Sequence, residues 1–525
     1  MRKIITSDDV MKILGTGKKN LVLGEEDLLT DIAREVVKRK GIQILLESQK
    51  EKEKGNRNLT KAGQEKQPVP EAKRKDKPKK AAFYDLVIKN GTVILPEAGK
   101  IQVNVAVKDG KIGALTTQQV EAVEEIDAQG LYVIPGIIDP HTHLGLSAPL
   151  EVELETESRS AVLGGVTTAG SFYNHTGSYL PTLDNLEEKT AEYSRIDLIP
   201  HLTLRDDIQL GEVEEYAGRG VQSYKMYMCG IPGMFPHQED GFILKAMERL
   251  AKLPRKPVVC IHGENTSIVD YSEAEEKLQE NTTLKEWGET HPEIAESEAV
   301  KRAAYLGNQA EIPTYLVHVS CKGSIEELKK EKGRDLYVET TSPYLTIDTD
   351  SDIGVLGKML PPFRSPESRE ALWEGLKAGL IDTIGTDNVT MTREEKQVDL
   401  GMEKALPGYP ALGTHLPSVL NEGVVKRGIP IEKIIPLMTM NPAKIFGVYP
   451  QKGTLLPGSD ADIVLVDMDC QKTVNPEMVG SRSDFSLYEN KTLKGWPRAT
   501  IKGGHILAWD GRITDDVYRG KVLKR

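Results

Sequence analysis

The sequence PGIIDPHTHL, residues Pro135–Leu144, carries more structural information than any other stretch of this chain. It includes the end of an apolar run, Leu131 to Ile138, whose β-branched residues predict a buried strand. His141 and His143 follow at a spacing of two, which in a strand places both imidazoles on the same face. Two adjacent imidazoles suit a divalent metal ion, so the stretch is a candidate metal site.

Four further strand-like runs contain a residue that could join this site. Each run is short and apolar, and its candidate residue lies within it or at its end. The four candidates are Lys225, His262, His318 and Asp387. Helical stretches such as Glu296–Leu306 and Ser368–Ala378 separate the runs. This alternation predicts a parallel sheet, and functional residues at several strand ends predict an α/β protein with a TIM-type (β/α)8 barrel.

The ordered set resembles the amidohydrolase superfamily, in its cyclic-amidase branch of hydantoinases, dihydropyrimidinases, allantoinases and dihydroorotases. The resemblance covers residues 84–515 and includes short motifs around the candidate ligands. These motifs are GGVTT (164–168), HGEN (262–265), PPFR (361–364), NPAKIFG (441–447) and GSDADIV (458–464).

The resemblance implies two divalent metal ions bridged by a carbamylated lysine. The six implied ligands are His141, His143, Lys225, His262, His318 and Asp387. The first two histidines, the lysine and the aspartate would hold one ion, and the lysine and the other two histidines would hold the second. Zinc is the expected metal and manganese the alternative, because imidazole and carboxylate ligands accept both.

The resemblance also implies roles for the lysine and the aspartate. A buried lysine has a lowered pKa and can react as a neutral amine, which makes carbamylation of Lys225 chemically reasonable. Asp387 is the implied catalytic residue. It would take a proton from the water that becomes a metal-bridging hydroxide and return it to the leaving nitrogen.

Three further residues match positions where the family contacts substrate. Asn174 follows the GGVTT strand, although a loop asparagine can equally be a turn former. Ser342 occupies the segment whose backbone holds the cyclic amide in hydantoinases. Asn388 stands directly after the last aspartate, where most family members have histidine.

The sequence departs from each subfamily at a different point. Dihydroorotases carry an arginine for the substrate carboxylate, whereas here His143 is followed by Leu144 and Gly145. Hydantoinases carry an oxyanion-stabilising tyrosine where this chain has Gly230. The sequence therefore predicts a hydantoinase-like or dihydropyrimidinase-like hydrolase that opens a cyclic amide or ureide ring. The alternatives are an allantoinase-like enzyme, another purine or pyrimidine ring opener, or a non-catalytic scaffold, which the retained ligand set disfavours.

The chain is predicted to have four parts. Residues 1–48 read as a small αβ module, with strands over Asn20–Leu23 and Ile42–Leu46 and a helix over Glu25–Lys40. A flexible charged linker follows, because it has almost no large apolar side chains. A β-sandwich built from both chain ends would flank the barrel. The remaining bounds are 49–82 for the linker, 84–134 and 453–515 for the sandwich, and 135–452 for the barrel.

Composition excludes several function classes. No apolar run reaches the ~20 residues needed to span a membrane. The linker holds twelve Lys or Arg against five Asp or Glu, but it lacks interleaved aromatics, so a solvated tether is favoured over a nucleic-acid site. The four cysteines have no zinc-ribbon or CxxC spacing, which indicates a reducing, cytoplasmic location. The expected partners are a small cyclic substrate and further copies of the chain.

Residues 1–48 also resemble the accessory proteins of ethanolamine-utilisation microcompartments. The motifs are ITSDDV (5–10), GK (17–18), ARE (33–35) and GIQI (41–44). This resemblance implies binding to a microcompartment shell or partner enzyme, and a location within a bacterial microcompartment. A generic appended domain is the alternative.

Overall fold

The computed structural model describes residues 83–231, 235–276, 278 and 282–525, together with short segments within residues 1–82. The chain divides into two compact units, Met1–Glu71 and Ala72–Arg525.

In the first unit, two pairs of short strands are described. Strand Asn20–Leu23 pairs in parallel with Gln43–Leu46, close to the two predicted strands. The helix predicted over Glu25–Lys40 is wrong at Leu28–Leu29, which pairs in parallel with Ile4–Ile5. A spacing of apolar residues that suits a helix has here been overridden by backbone pairing with a distant strand. The other residues of the module, apart from the helical Val37, and the whole linker 49–82 lie outside the described residues.

The second unit contains an eight-stranded sheet in which every neighbouring pair is parallel and follows chain order. The strands are Ile137–Thr142, Val166–Tyr173, Asp197–Thr203, Ser223–Tyr227, Val258–His262, Thr314–Leu316, Leu336–Thr341 and Thr383–Gly385. We call the carboxyl-terminal end of these strands the mouth and the amino-terminal end the floor. The predicted TIM-type barrel is confirmed.

A seam joins the first and last strands at the mouth. The backbone N–H of Asp387 donates to the carbonyl of His141 at 2.9 Å, and the N–H of His143 donates to the carbonyl of Asn388 at 2.9 Å. One residue deeper, the buried carboxylate of Asp139 accepts a hydrogen bond from the Thr386 hydroxyl at 2.6 Å. The ring of strands therefore closes through predicted site residues.

Helices pack around the sheet. The α-helices of four or more residues are Leu150–Leu163, Leu180–Tyr193, Asp207–Gly211, Val213–Gly218, Asp240–Leu250, Thr266–Glu275, Leu284–Thr290, Glu293–Gln309, Lys322–Glu331, Ser342–Thr346, Pro366–Lys377, Gly401–Lys404, His415–Val419, Ile431–Ile434 and Met440–Ile445. A π-helix spans Leu420–Lys426. Local sequence sets several starts: Thr283 and Glu286 form a capping box, and Ser365 caps the helix that begins at Pro366. None of the helices in the described part of the chain is long and apolar enough to cross a membrane.

Two further sheets pack against each other beside the barrel. One has four strands: Ala122–Asp127, Tyr84–Lys89, Asn104–Lys108 and Lys111–Thr116. The other has seven strands: Arg512–Ile513, His505–Trp509, Thr492–Lys502, Ile463–Thr473, Tyr132–Pro135, Thr92–Leu95 and Gly99–Gln102. Their facing side chains, including Leu86, Val105, Val133 and Leu465, share one apolar core. The predicted β-sandwich is confirmed, and both ends of the second unit build it.

A buried charge network ties the floor of the barrel to the sandwich. Asp197 begins the third barrel strand, and its Oδ2 lies 2.5 Å from Lys452 Nζ and 2.6 Å from Lys502 Nζ. Lys452 Nζ also lies 2.7 Å from Asp462 Oδ2 and 2.9 Å from Asp460 Oδ2. The carboxylates raise the pKa of Lys452 well above its usual value despite its burial. Lys452 is therefore charged, and both buried lysines are paired with carboxylates.

Candidate metal centre

Three of the predicted ligands meet at the mouth. The ligand atoms of His141, His143 and Asp387 all lie within 4.8 Å of one another, and all three residues are buried. Asp387 Oδ1 is 3.1 Å from Nε2 of His141 and 3.2 Å from Nε2 of His143. His141 Nε2 is buried and makes no hydrogen bond of acceptable geometry within the described structure. A buried imidazole nitrogen without a partner, beside a second imidazole and a carboxylate, fits a divalent ion.

The electrostatics of this group follow from the close contact of opposite charges. Burial opposes the charged form of His141, but the carboxylates of Glu339 and Asp387 raise its pKa to about 9. Burial likewise opposes ionisation of Asp387, but the charge on His141 and the close approach of both imidazoles hold its pKa well below the usual value. Burial lowers the pKa of His143 to about 4. Asp387 is therefore an anion and His143 a neutral imidazole at neutral pH.

The backbone at two predicted ligands is unusual. His318 has φ of 40° and Asp387 has φ of 55°, in the left-handed region that non-glycine residues seldom occupy. Each follows the end of a barrel strand, Thr314–Leu316 or Thr383–Gly385, so the turn out of the strand sets the side-chain direction. Strained backbone of this kind is concentrated at functional sites.

The remaining histidines lie next to this group. Nδ1 of His262 is 2.9 Å from Nε2 of His318, and the ring of His318 lies 5.4 Å from that of His141. Burial and the neighbouring His262 lower the pKa of His318 well below its usual value. Two ring nitrogens facing each other at this distance can share a proton or bind a common ion.

Lys225 is enclosed by aromatic rings. It lies on the fourth barrel strand and is 1% exposed. Its Nζ is 4.5 Å from the ring centroid of Phe172 and 5.0 Å from that of Tyr227. Among the described residues, no hydrogen bond or ion pair reaches this nitrogen. Burial lowers the pKa of Lys225 to about 8, so the neutral amine is accessible near physiological pH.

Two buried carboxylates orient the histidines, and the sequence did not assign them a role. Glu339 Oε2 lies 2.9 Å from His141 Nδ1 and accepts the backbone N–H of His318 at 3.0 Å. Glu264 Oε2 lies 3.0 Å from His262 Nε2. Carboxylates in these positions fix the ring orientation of metal-binding histidines. The available signal was a glutamate inside the otherwise uncharged strand Leu336–Thr341, and a glutamate two residues after His262.

The three predicted substrate contacts are engaged elsewhere. The Asn388 side chain is buried, accepts the N–H of Ala411 at 2.8 Å and donates to Thr390 at 2.9 Å. Ser342 Oγ lies 2.9 Å from His415 Nδ1. Asn174 is half-buried and accepts from Arg205 at 3.3 Å. Their roles towards substrate stay predictions.

A cavity opens over the predicted ligands. His143, Lys225, His262, His318 and Asp387 line its base. Its other lining residues are Leu146, Tyr227, Ile231, Phe235, Met359, Leu360, Val389 and Pro407. Asn174, Ser342 and Asn388 are absent from this described lining. The cavity is therefore a small, mainly apolar pocket with a polar base, the usual form of a small-molecule site.

Fold and site together define a (β/α)8-barrel protein with a metal-competent cluster at the carboxyl ends of its strands, where enzymes of this fold have their active sites. Residues 132–507 match the Amidohydrolase family. The chain belongs to this family, whose members are metal-dependent.

Individual relatives fall in the cyclic-amidase branch. The chain is 31% identical to an L-hydantoinase of Paenarthrobacter aurescens over 460 residues, which is 84% of this chain and 98% of the relative. It is 31% identical to an allantoinase of Escherichia coli over 442 residues, covering 81% and 95%. The crystal structure of a dihydropyrimidinase from Brevibacillus agri superimposes with a TM-score of 0.77 at 29% identity, covering 84% of this chain and 98% of that one.

Proposed function

We propose that this protein is a metal-dependent hydrolase that opens the ring of a cyclic amide or ureide, of the hydantoin or dihydropyrimidine type. The observation that carries the proposal is the cluster of buried imidazoles, carboxylate and lysine at the base of one cavity. Its support from relatives is the hydantoinase similarity, which spans nearly the whole length of each relative.

The proposed cofactors are two divalent ions, zinc or alternatively manganese, with Lys225 carbamylated between them. His141, His143 and Asp387 would hold one ion, and His262 and His318 the other. The enclosed, unpaired Nζ of Lys225 supports its modification, because an amine with a lowered pKa can react with carbon dioxide in its neutral form. The carbamate would then offer anionic oxygens as ligands to the ions. When bound, such ions lower the pKa of water and polarise a carbonyl oxygen.

Asp387 is the proposed general base and acid. Its carboxylate is ionised and stands over the polar base of the cavity, so it can accept a proton from the attacking water. Water then adds to the carbonyl carbon, the C–N bond breaks, and Asp387 returns the proton to the leaving nitrogen. Glu339 and Glu264 hold the imidazoles in place during this cycle.

The cavity wall indicates the kind of ring. Lys225 is the only cationic side chain among its described lining residues other than histidine, and the proposed metal centre engages it. Most of the remaining wall is aliphatic or aromatic. A neutral ring with an apolar substituent fits this wall better than dihydroorotate, which carries a carboxylate. Allantoin, with a polar ureido substituent, is the alternative that the allantoinase relatives support.

A substrate panel tests the proposal. The purified chain, loaded with zinc or manganese, is offered hydantoin, dihydrouracil, allantoin and dihydroorotate, and ring opening is followed by absorbance and mass spectrometry. We expect hydantoin or dihydrouracil to be opened fastest and dihydroorotate poorly, since a missing charge-assisted contact costs about 1.5–3 kcal/mol. Fastest opening of dihydroorotate would contradict our account of the wall.

We also propose further copies of the same chain as its partners. The comparisons give no support to the microcompartment resemblance of residues 1–48, which stays a prediction.

A further inference from the structure

Only one polar side chain remains free to contact substrate in the described cavity wall. Once the proposed metal ligands are set aside, the wall consists of Leu146, Ile231, Phe235, Met359, Leu360, Val389, Pro407 and Tyr227. Seven of these eight side chains offer no hydrogen-bond donor, and among the seven only the Met359 sulfur is a weak acceptor. A cyclic amide carries several polar atoms, and burying them without partners is costly. Apart from the proposed metal ligands, the phenol of Tyr227 is therefore the one side-chain hydrogen-bond donor that the described wall offers to such a ring.

The fold directs Tyr227 towards the reacting atoms. It lies two residues after Lys225 on the strand Ser223–Tyr227, so both side chains point into the barrel. Its ring centroid is 5.0 Å from Lys225 Nζ and 5.4 Å from the ring of His262. Within the described structure its hydroxyl makes no hydrogen bond, so the group is free to donate.

The ring is held firmly at this place. It stacks on Phe235 with centroids 5.0 Å apart and an interplanar angle of 10°. Gln238 holds the backbone: its Oε1 accepts the Tyr227 N–H at 2.7 Å, and its own N–H donates to the Tyr227 carbonyl at 2.8 Å. A donor fixed before substrate arrives loses little free energy of reorganisation during reaction.

We infer that the Tyr227 hydroxyl donates a hydrogen bond to the carbonyl oxygen of the scissile amide and stabilises the negative charge that this oxygen gains when water adds to the carbonyl carbon. The inference rests on the proposed function. Tyr227 would then take the role that the hydantoinase resemblance implies for a tyrosine at position 230, where this chain has glycine.

The variant Tyr227→Phe tests this role, because it keeps the ring stacked on Phe235 and removes only the hydroxyl. An oxyanion donor acts in the transition state, so we expect kcat to fall by about 10²–10³ while KM changes little. Metal content and melting temperature should match those of the wild type. The matched control is Tyr224→Phe on the same strand, whose hydroxyl faces away from the barrel axis and donates to Val213 at 3.3 Å. This control should retain kcat.

The outcomes separate this inference from the proposed function. If the wild type opens a ring and Tyr227→Phe opens it at the same rate, the inference is overturned and the proposed function stands. A rise in KM with unchanged kcat would also overturn it, because the hydroxyl would then act in ground-state binding. If the metal-loaded wild type neither opens nor binds any ring of the panel by calorimetry, the proposed function and this inference both fail.

Discussion

The mouth and the floor of the barrel both bury charged side chains, but they treat them differently. At the floor, Lys452 and Lys502 each lie within 2.7 Å of a carboxylate. At the mouth, no hydrogen bond or ion pair among the described residues reaches Lys225 Nζ, which lies between two aromatic rings. Nε2 of His141 lies 3.1 Å from Asp387 Oδ1 but makes no hydrogen bond of acceptable geometry within the described structure. A buried charged group that is fully paired has a structural role, whereas a buried basic group without a hydrogen bond indicates a binding site for a ligand.

Among the variants that test this difference between mouth and floor, Lys225→Ala should have the largest effect. If the unpaired lysine is the bridging ligand, the variant should lose bound metal and ring-opening activity together, while circular dichroism shows a folded barrel. Metal per chain is measured by inductively coupled plasma mass spectrometry. Full metal content with near wild-type turnover would contradict the bridging role. Lys245→Ala, at an exposed lysine paired with Asp207, is the control.

Asp387→Asn tests the proton-transfer role at the mouth. The amide keeps the shape and one oxygen of the side chain but cannot accept a proton, so we expect kcat to fall by about 10²–10⁴. The loss of metal should be smaller than in Lys225→Ala, because the other proposed ligands remain. Retained turnover with an unchanged acidic limb of the pH–rate profile would refute the assignment.

At the floor, Lys452→Met should act on stability instead of chemistry. The variant leaves Asp197, Asp460 and Asp462 buried with one less cation, and breaking a buried ion pair costs about 3–5 kcal/mol. The free energy of unfolding is measured in urea, and turnover below the transition should stay near the wild-type value. Lys377→Met, in an exposed pair with Glu374, is the control and should change stability by about 0–1 kcal/mol. Equal effects of the two variants would remove the contrast between floor and surface.

The smallest effect is expected from removing residues 1–82. None of the proposed ligands lies there, so a chain that starts at Phe83 should keep its metal content and kcat. If the region has a role in association, its removal should change the particle size measured by light scattering or the retention of partners in a pull-down. A large loss of turnover in the folded, shortened chain would mean that this region contributes to the site. Unchanged association would favour the generic appended domain.

The sequence predicts the barrel and the pair His141 and His143 from local rules, whereas the full ligand set is what the family resemblance implies. A spacing of two on a strand assigns His141 and His143 to one face, and strand ends in a parallel barrel meet at one mouth. The structure places five of the six predicted ligands in the lining of one cavity and the sixth, His141, beside His143 and Asp387.

What the sequence missed depends on contacts between distant segments. Glu339 reaches His141 across 198 positions of the chain, and no local pattern announces such a contact. The substrate role of Asn388 stays a prediction, and the hydrogen bond that its side chain accepts from the backbone N–H of Ala411 is a further contact between separate segments. Tyr227 became a candidate only when the other side chains of the cavity wall were known to be apolar. Local rules give the face of a strand, and tertiary packing decides which groups on it stay free.

The seam that closes the barrel runs through the site itself. His143 and Asp387 line the cavity, and His141 lies against Asp387. The backbone groups of these three residues take part in the hydrogen bonds between the first and last strands. A thermal fluctuation that parts these strands must therefore also separate the imidazoles from the carboxylate. The local opening equilibrium of the seam sets the fraction of molecules that are competent at any instant. A ligand that binds to both strands shifts this equilibrium towards the closed form. A larger fraction of occupied sites therefore means a larger fraction of molecules in which the barrel is closed.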